Sequence, residues 1–233
     1  MCVRTQSQVH FTPKYHQGVL PATRILMLRH GQSEWNAQGR WQGQADIELT
    51  DVGVDQARAA AQKLGMFDAI VSSDLLRART TATIIANSLG AGLMEPDVRL
   101  RETHVGEWQG LTQSQIERDW PGYLKSHQRP PGFESDESIV SRVTDALVDI
   151  ATQFAGGEVL VVAHAGVIRV MRRSHKKVDS RIYNLGGCQF IVRPGSPSPI
   201  EIGDVVDLLE HDEQENMAPV VDFSENNDKS QEL

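Results

Sequence analysis

Long apolar runs are missing from this chain: no stretch approaches the roughly 18 consecutive apolar residues that a membrane-spanning helix needs. The start of the sequence carries no charged-then-apolar leader pattern. A soluble, cytoplasmic protein without a membrane partner is therefore expected. Cysteine is nearly absent, and Cys2 and Cys188 lie too far apart in sequence to read as a disulfide framework, which fits a reducing compartment. A basic surplus is missing as well. The formal net charge is −8, but residues 196–233 hold eleven acidic residues against the single Lys229, leaving 22 basic and 20 acidic residues over 1–195. A nearly neutral globular part argues against a nucleic-acid partner, and the one basic cluster, Arg169 to Lys177, reads as a solvated helix end. Motifs for several chemistries are lacking too. There is no HExxH, no Cys/His ligand ladder and no aspartate cluster, so no metal is expected; no P-loop or dinucleotide fingerprint cradles a nucleotide cofactor; no GxSxG surrounds Ser33.

What is present reads as alternating strands and helices. With 233 residues, 39% hydrophobic, the chain can bury one full core. We expect a polar, flexible extension over 1–23, one domain over 24–210 and an acidic solvating tail over 211–233. Ile25–Leu28 reads as a first strand, followed by a polar loop from Ala37 to Glu48. Thr50 caps a helix closed by Gly65, Ala69–Ser72 is a short strand, and Leu75–Leu89 is a helix stopped by Gly90. Val98–Glu102 reads as a strand end, Thr112 opens a short helix ending before Pro121, and the proline-rich excursion from Pro121 to Asp136 is of the kind that shapes a pocket rim. An amphipathic helix over Ser138–Phe154 precedes the most apolar strand, Glu158–Ala163. Strands over Gln189–Arg193 and Val205–Leu209 complete the pattern. The fold class is α/β: a single three-layer domain with a central, mostly parallel sheet flanked by helices on both faces.

Two strands end alike, at Arg29-His30-Gly31 and at His164-Ala165-Gly166. If they are neighbours in a parallel sheet, both imidazoles emerge at the carboxyl edge, where open α/β sheets bind ligands. Arg77 follows Ser72-Ser73-Asp74 at the start of the second helix, and Glu102 stands at the third strand end. Packed like charges destabilise a fold, so two arginines beside two histidines call for an anion, and planar guanidinium forks match phosphate oxygens. Asn36 and Gln42 offer further donors from the loop after the first strand. His30 is the best nucleophile in this set, because a neutral imidazole nitrogen needs no base to expose its lone pair. Glu102 can protonate the leaving group and then activate water.

These residues carry a resemblance. RHGQSEWN, LTDVG, SSDLLRARTTA, LRETHVGEWQG and VVAHAG, spread over Arg24 to Arg193, resemble the histidine phosphatase superfamily, also called phosphoglycerate-mutase-like, in order and spacing. The resemblance implies Arg29, Arg77 and His164 as phosphate-pocket groups, Asn36 as an additional ligand, His30 as the phosphorylated nucleophile and Glu102 as proton donor, in a reaction without a metal. ETHVGEWQG, with Trp108, is similar to the phosphatase branch rather than the mutases. Within that branch the likeness of WQGQ, SSDL and LRETH implies Gln42 and Gly43 at the phosphate site, Gly166 beside them and His104 near the pocket. It also implies a small phosphorylated sugar or glycerate as substrate and a homodimer. The chain departs from the family between His164 and the next strand, where only Val167–Leu185 intervenes, rich in Arg and Lys, and where Gly186-Gly187-Cys188 stands in place of a common asparagine. Two rivals remain at this stage: a phosphoglycerate mutase, and a non-catalytic phospho-ligand binding protein on the same fold.

Overall fold

The structure, a computed structural model, describes residues 20–210. The acidic tail, Cys2 and residues 1–19 of the expected extension lie outside that range, whereas Thr23, placed in the extension above, already belongs to the first strand. Five strands form one sheet among the described residues: β1 (Thr23–Arg29), β2 (Ala69–Ser72), β3 (Glu158–Ala163), β4 (Gly186–Val192) and β5 (Ile200–Asp207), in the order β2-β3-β1-β4-β5. β1 and β2 both pair parallel to β3, β4 runs antiparallel to β1, and β5 turns back against β4. The sheet is mixed, with a parallel half that carries the apolar strands.

Alternation along β1 divides the core. Ile25 and Met27 face a layer built by α5 (Asp136–Gln153) and α6 (Ala165–Ser174) with Val159, Val161 and Phe190. Leu28 faces the other layer, α2 (Asp51–Lys63) and α3 (Leu76–Leu89), with Ile70, Leu160 and Val162. Both sheet faces are therefore covered, which is why β2 and β3 read as continuous apolar runs. The helices begin where their caps dictate. Thr50 Oγ1 accepts from the Gly53 amide, and Thr112 opens α4 (Gln113–Asp119) with a reciprocal Gln115 capping box. Ser135 caps α5, which starts two residues before the expected Ser138.

Three expectations need correction. Val98–Leu100 is a 3-10 turn, not a strand end, and Glu102 follows it on a loop. No sheet partner satisfies this stretch; instead Arg142 of α5 donates to the carbonyls of Arg99 at 2.6 Å and Arg101 at 2.7 Å. The last strand begins at Ile200 rather than Val205, because Ile200 and Ile202 bury their side chains in the core. β4 begins at Gly186, ahead of the expected Gln189. Glycine is a poor strand signal, yet at Gly187 it is required: a Cβ there would lie 2.0 Å from the Met27 carbonyl oxygen. A short helix not anticipated from the sequence, α1 (Glu34–Ala37), follows β1, capped by Ser33 with Asn36 closing the capping box.

Candidate active site

β1 and β3 lie side by side with Arg29 in register with Ala163, so His30 and His164 leave the same sheet edge together. Their ring centroids are 5.3 Å apart at 61°, and both side chains are buried. The His30 Nδ1 lies 2.6 Å from the Gly31 carbonyl oxygen. A carbonyl only accepts, so Nδ1 carries the proton and Nε2 keeps its lone pair. That lone pair accepts from Arg77 Nε at 3.2 Å. Arg77 is fully buried at the first turn of α3, and its remaining donors reach the carbonyls of Ala45 at 2.7 Å and Gly43 at 2.8 Å. The loop after α1 therefore locks the guanidinium that faces the nucleophile.

Arg29 donates from Nη1 to the Ile182 carbonyl at 2.9 Å, and Asn184 Nδ2 donates to the His30 carbonyl at 2.9 Å. Asn184 was not singled out from the sequence: it stands two residues ahead of the strand whose start the glycines conceal. Its position answers the missing asparagine noted above. Glu102 is held by two amides, Thr103 N at 2.8 Å and Gly166 N at 3.1 Å. The latter is a free first-turn amide of α6, whose cap residue His164 makes no side-chain cap bond. A Cβ on Gly166 would stand 2.4 Å from Glu102 Oε1, so glycine is what lets the carboxylate close on the helix terminus. Both ring nitrogens of His164 are buried without a hydrogen-bond partner among the described residues. Unpaired buried polar atoms are costly, and here they sit beside a site built for an anion.

These groups border a cavity of about 360 Å³. His30, Arg29, Arg77, Glu102, Asn36, Gln42, Gly43 and Gly166 all line it, and His164 is buried against His30 behind them. Gln42 Oε1 accepts from Ser33 Oγ at 2.8 Å, and Asn36 Oδ1 from the Ser33 amide at 3.3 Å, which leaves both side-chain amide nitrogens free of those bonds. His104 is not brought to the cavity. Between inward Thr103 and Val105 it points out, and its ring contacts the Gly132 carbonyl at 2.9 Å. Trp41 and Phe133 line the wall and meet fully buried Trp108 edge-on at 5.2 and 5.8 Å, so the rim from the proline-rich excursion is anchored by aromatic packing.

Electrostatics match an anion. Burial pushes Arg29 and Arg77 down to about 10, partly offset by Glu102. Burial first, and then Arg77 and Arg29, hold the His30 imidazole well below its ordinary range; burial first, and then Arg77, does the same for His164. Both imidazoles are thus neutral at neutral pH beside two guanidiniums. In the unfolded chain they would take protons near about pH 6.5. Below that value the unfolded state binds more protons, so folding weakens as pH falls through the interval down to the depressed folded values, and is unaffected above it. The slope reaches about 1.4 kcal/mol per pH unit for each histidine. The unfolding temperature of the ligand-free protein should therefore drop between about pH 6.5 and pH 5, and a level or rising value across that window would contradict the burial of two neutral imidazoles.

Comparison with known proteins decides the class. The family model of the histidine phosphatase superfamily (branch 1) matches residues 25–186. The chain belongs to the histidine phosphatase superfamily. It is a phosphatase-type phosphomonoester hydrolase. Glucosyl-3-phosphoglycerate phosphatase of Mycobacterium tuberculosis is 39% identical over 165 residues, 64% of this chain and 74% of that protein. The metal-independent phosphoserine phosphatase of Arabidopsis thaliana is 40% identical over 159 residues, 64% of this chain and 67% of that protein. A solved mycobacterial glucosyl-3-phosphoglycerate phosphatase in complex with VO3 superimposes with a TM-score of 0.68 at 33% identity, covering 78% of this chain and 97% of the other. No helix among the described residues of this phosphatase is long and apolar enough to cross a membrane. Nor do three or more of their His, Cys, Asp or Glu side chains converge as a metal site would require.

Proposed function

We propose that this phosphatase hydrolyses small phosphorylated metabolites, glucosyl-3-phosphoglycerate or another sugar or glycerate phosphate, through a phosphohistidine on His30. The observation that carries the reading is the fixed tautomer of His30, whose Nε2 lone pair faces a cavity lined by Arg29 and Arg77. Substrate oxygens replace the His30 lone pair as the acceptor for the Arg77 Nε–H, which frees Nε2 to attack. The Nε2–P bond forms as the ester P–O bond breaks, and the departing alkoxide takes a proton from Glu102. Arg29, Arg77 and the ring N–H of His164 hold the three equatorial oxygens while charge builds on them, with Asn36 and Gln42 as further donors. Water then attacks phosphorus and gives its proton to the Glu102 carboxylate. The N–P bond breaks, inorganic phosphate leaves, and Glu102 is again the acid. Two guanidiniums flanking the imidazoles would repel a divalent cation, which supports a reaction without a metal.

Buried Cys188, far in sequence from Cys2, supports a reducing, cytoplasmic setting, and the β5 edge, which pairs with no further strand among the described residues, is where a homodimer would pair. The test is phosphate release across phosphorylated sugars, phosphoglycerates and phosphoamino acids, with and without a chelator. Turnover of at least one glycerate or sugar phosphate, indifferent to the chelator, is expected. Isomerisation of 3-phosphoglycerate with 2,3-bisphosphoglycerate and no phosphate release would instead make the protein a mutase.

A further inference from the structure

The segment between α6 and β4 supplies the cavity with a cation that the hydrolytic scheme does not use. Most arginines on the cavity rim are already neutralised or bonded. Arg129 and Arg173 pair with Asp136 at 2.7 and 3.0 Å, Arg169 with Asp179 at 2.8 Å, and Arg40 donates to the Gly110 carbonyl at 2.6 Å. Arg181 does none of this. It lines the same cavity, yet among the described residues its guanidinium makes no hydrogen bond or ion pair, and its one contact is with the Tyr183 ring, 5.1 Å from the centroid. Stacking occupies a face of the guanidinium and leaves its in-plane N–H fork open for a planar anion.

The segment is fixed at the phosphate end. The residue after Arg181, Ile182, accepts from Arg29, and Asn184 binds the His30 carbonyl. Arg181 also lies close enough to Arg29 for its charge to depress that group further. Guanidiniums within reach of one another's charge are unfavourable unless anions offset them, and Glu102 offsets Arg29 only in part. One of those anions is the phosphate. From this placement we propose that Arg181 binds a carboxylate carried by the substrate itself, a few bonds from the phosphate, so that the preferred substrates are phosphomonoesters of small hydroxy acids. A single unpaired guanidinium matches the single charge of a carboxylate, and its fork matches the two oxygens.

This inference rests on the phosphatase reading above and narrows its substrate class. The test compares 3-phosphoglycerate with glycerol 3-phosphate, which lacks only the carboxylate function, in the wild type and in Arg181→Gln. The ratio of kcat/KM for the two esters should fall by about tenfold or more in the variant, the size of a lost bond to a charged group. Arg181→Lys, which keeps the charge and loses the fork, should retain part of the ratio. An unchanged ratio, whether both esters lose activity together or neither does, overturns the assignment. The same pair is measured by calorimetric binding in His30→Ala, with and without Arg181→Gln. There the ratio of Kd values reports on Arg181 without turnover. A Kd ratio that shifts with Arg181→Gln, when the wild type releases phosphate from no ester, would refute the hydrolytic reading while supporting the carboxylate site; wild-type hydrolysis with a constant ratio would do the reverse.

Discussion

His30→Ala is expected to lower phosphate release by at least about 10³-fold for every substrate, because it removes the atom that bonds to phosphorus rather than a group that assists it. The variant should still bind inorganic phosphate, since Arg29, Arg77 and His164 stay in place and the smaller side chain clears space above them. Its fold should survive. The lost interactions are one Nδ1–H bond to the Gly31 carbonyl and the acceptor for Arg77 Nε, whose other donors remain anchored to Ala45 and Gly43. The cost is about 1–3 kcal/mol, partly offset because a buried imidazole no longer sits against two cations. Chemical trapping gives an independent reading. Wild-type protein quenched during turnover should carry phosphate in a linkage that is stable in base and labile in acid, as a phosphoramidate is, and the variant should carry none. Near-normal turnover by the variant, or an acid-stable linkage in the wild type, would remove His30 from the reaction.

That expectation could be framed from sequence because the nucleophile sits at a strand end that announces itself. Four apolar residues run into Arg29-His30-Gly31, and β3 runs in the same way into His164-Ala165-Gly166. Parallel pairing of β1 with β3 then brings the imidazoles together without further information. Arg77 was legible for a similar reason, as the first turn of a helix that leaves the same edge. The helix starts at Thr50 and Thr112 were readable from residue type, since a hydroxyl satisfying an orphan amide is a local matter.

Other features depend on contacts distant in sequence, which no local pattern reports. Glu102 reaches the site from a loop whose carbonyls are tied down by Arg142, about forty residues away. Alternating apolar and charged residues there, Val98-Arg99-Leu100-Arg101, imitate a strand, yet Val98 is exposed and Leu100 buried, which two residues on one strand face would not be. Burial alternates over Thr103, His104 and Val105 and turns His104 outward, away from the pocket the resemblance implied for it. Asn184 and Arg181 lie in a segment with no periodicity at all, and their importance comes only from the carbonyls of His30 and Ile182 that join that segment to β1. The strand that follows opens on Gly186-Gly187, and Gly187 is there for its close approach to Met27 and not for strand propensity. Of the four tryptophans, Trp35 and Trp41 line the cavity, while Trp108 is wholly core.

Glu102→Gln should separate the two halves of the reaction. In the first half the leaving oxygen needs a proton in proportion to its basicity, so kcat/KM for an alkyl phosphate is expected to fall by about 10²–10⁴-fold. For an aryl phosphate, whose phenoxide departs without help, the fall should be no more than about tenfold. The second half has no such escape, because water must lose its proton whatever group left before it. With an aryl substrate the variant should therefore release about one equivalent of phenol in a burst and accumulate phosphoenzyme, then turn over slowly. The geometry sets one condition on reading this result. Both carboxylate oxygens accept from amides, Thr103 N and Gly166 N, and a glutamine can offer an acceptor to only one of them. Some loss common to all substrates is expected on that account, and the decisive quantity is the ratio between alkyl and aryl esters. Equal losses for both, with no burst, would mean that Glu102 holds the α6 terminus in place and moves no proton.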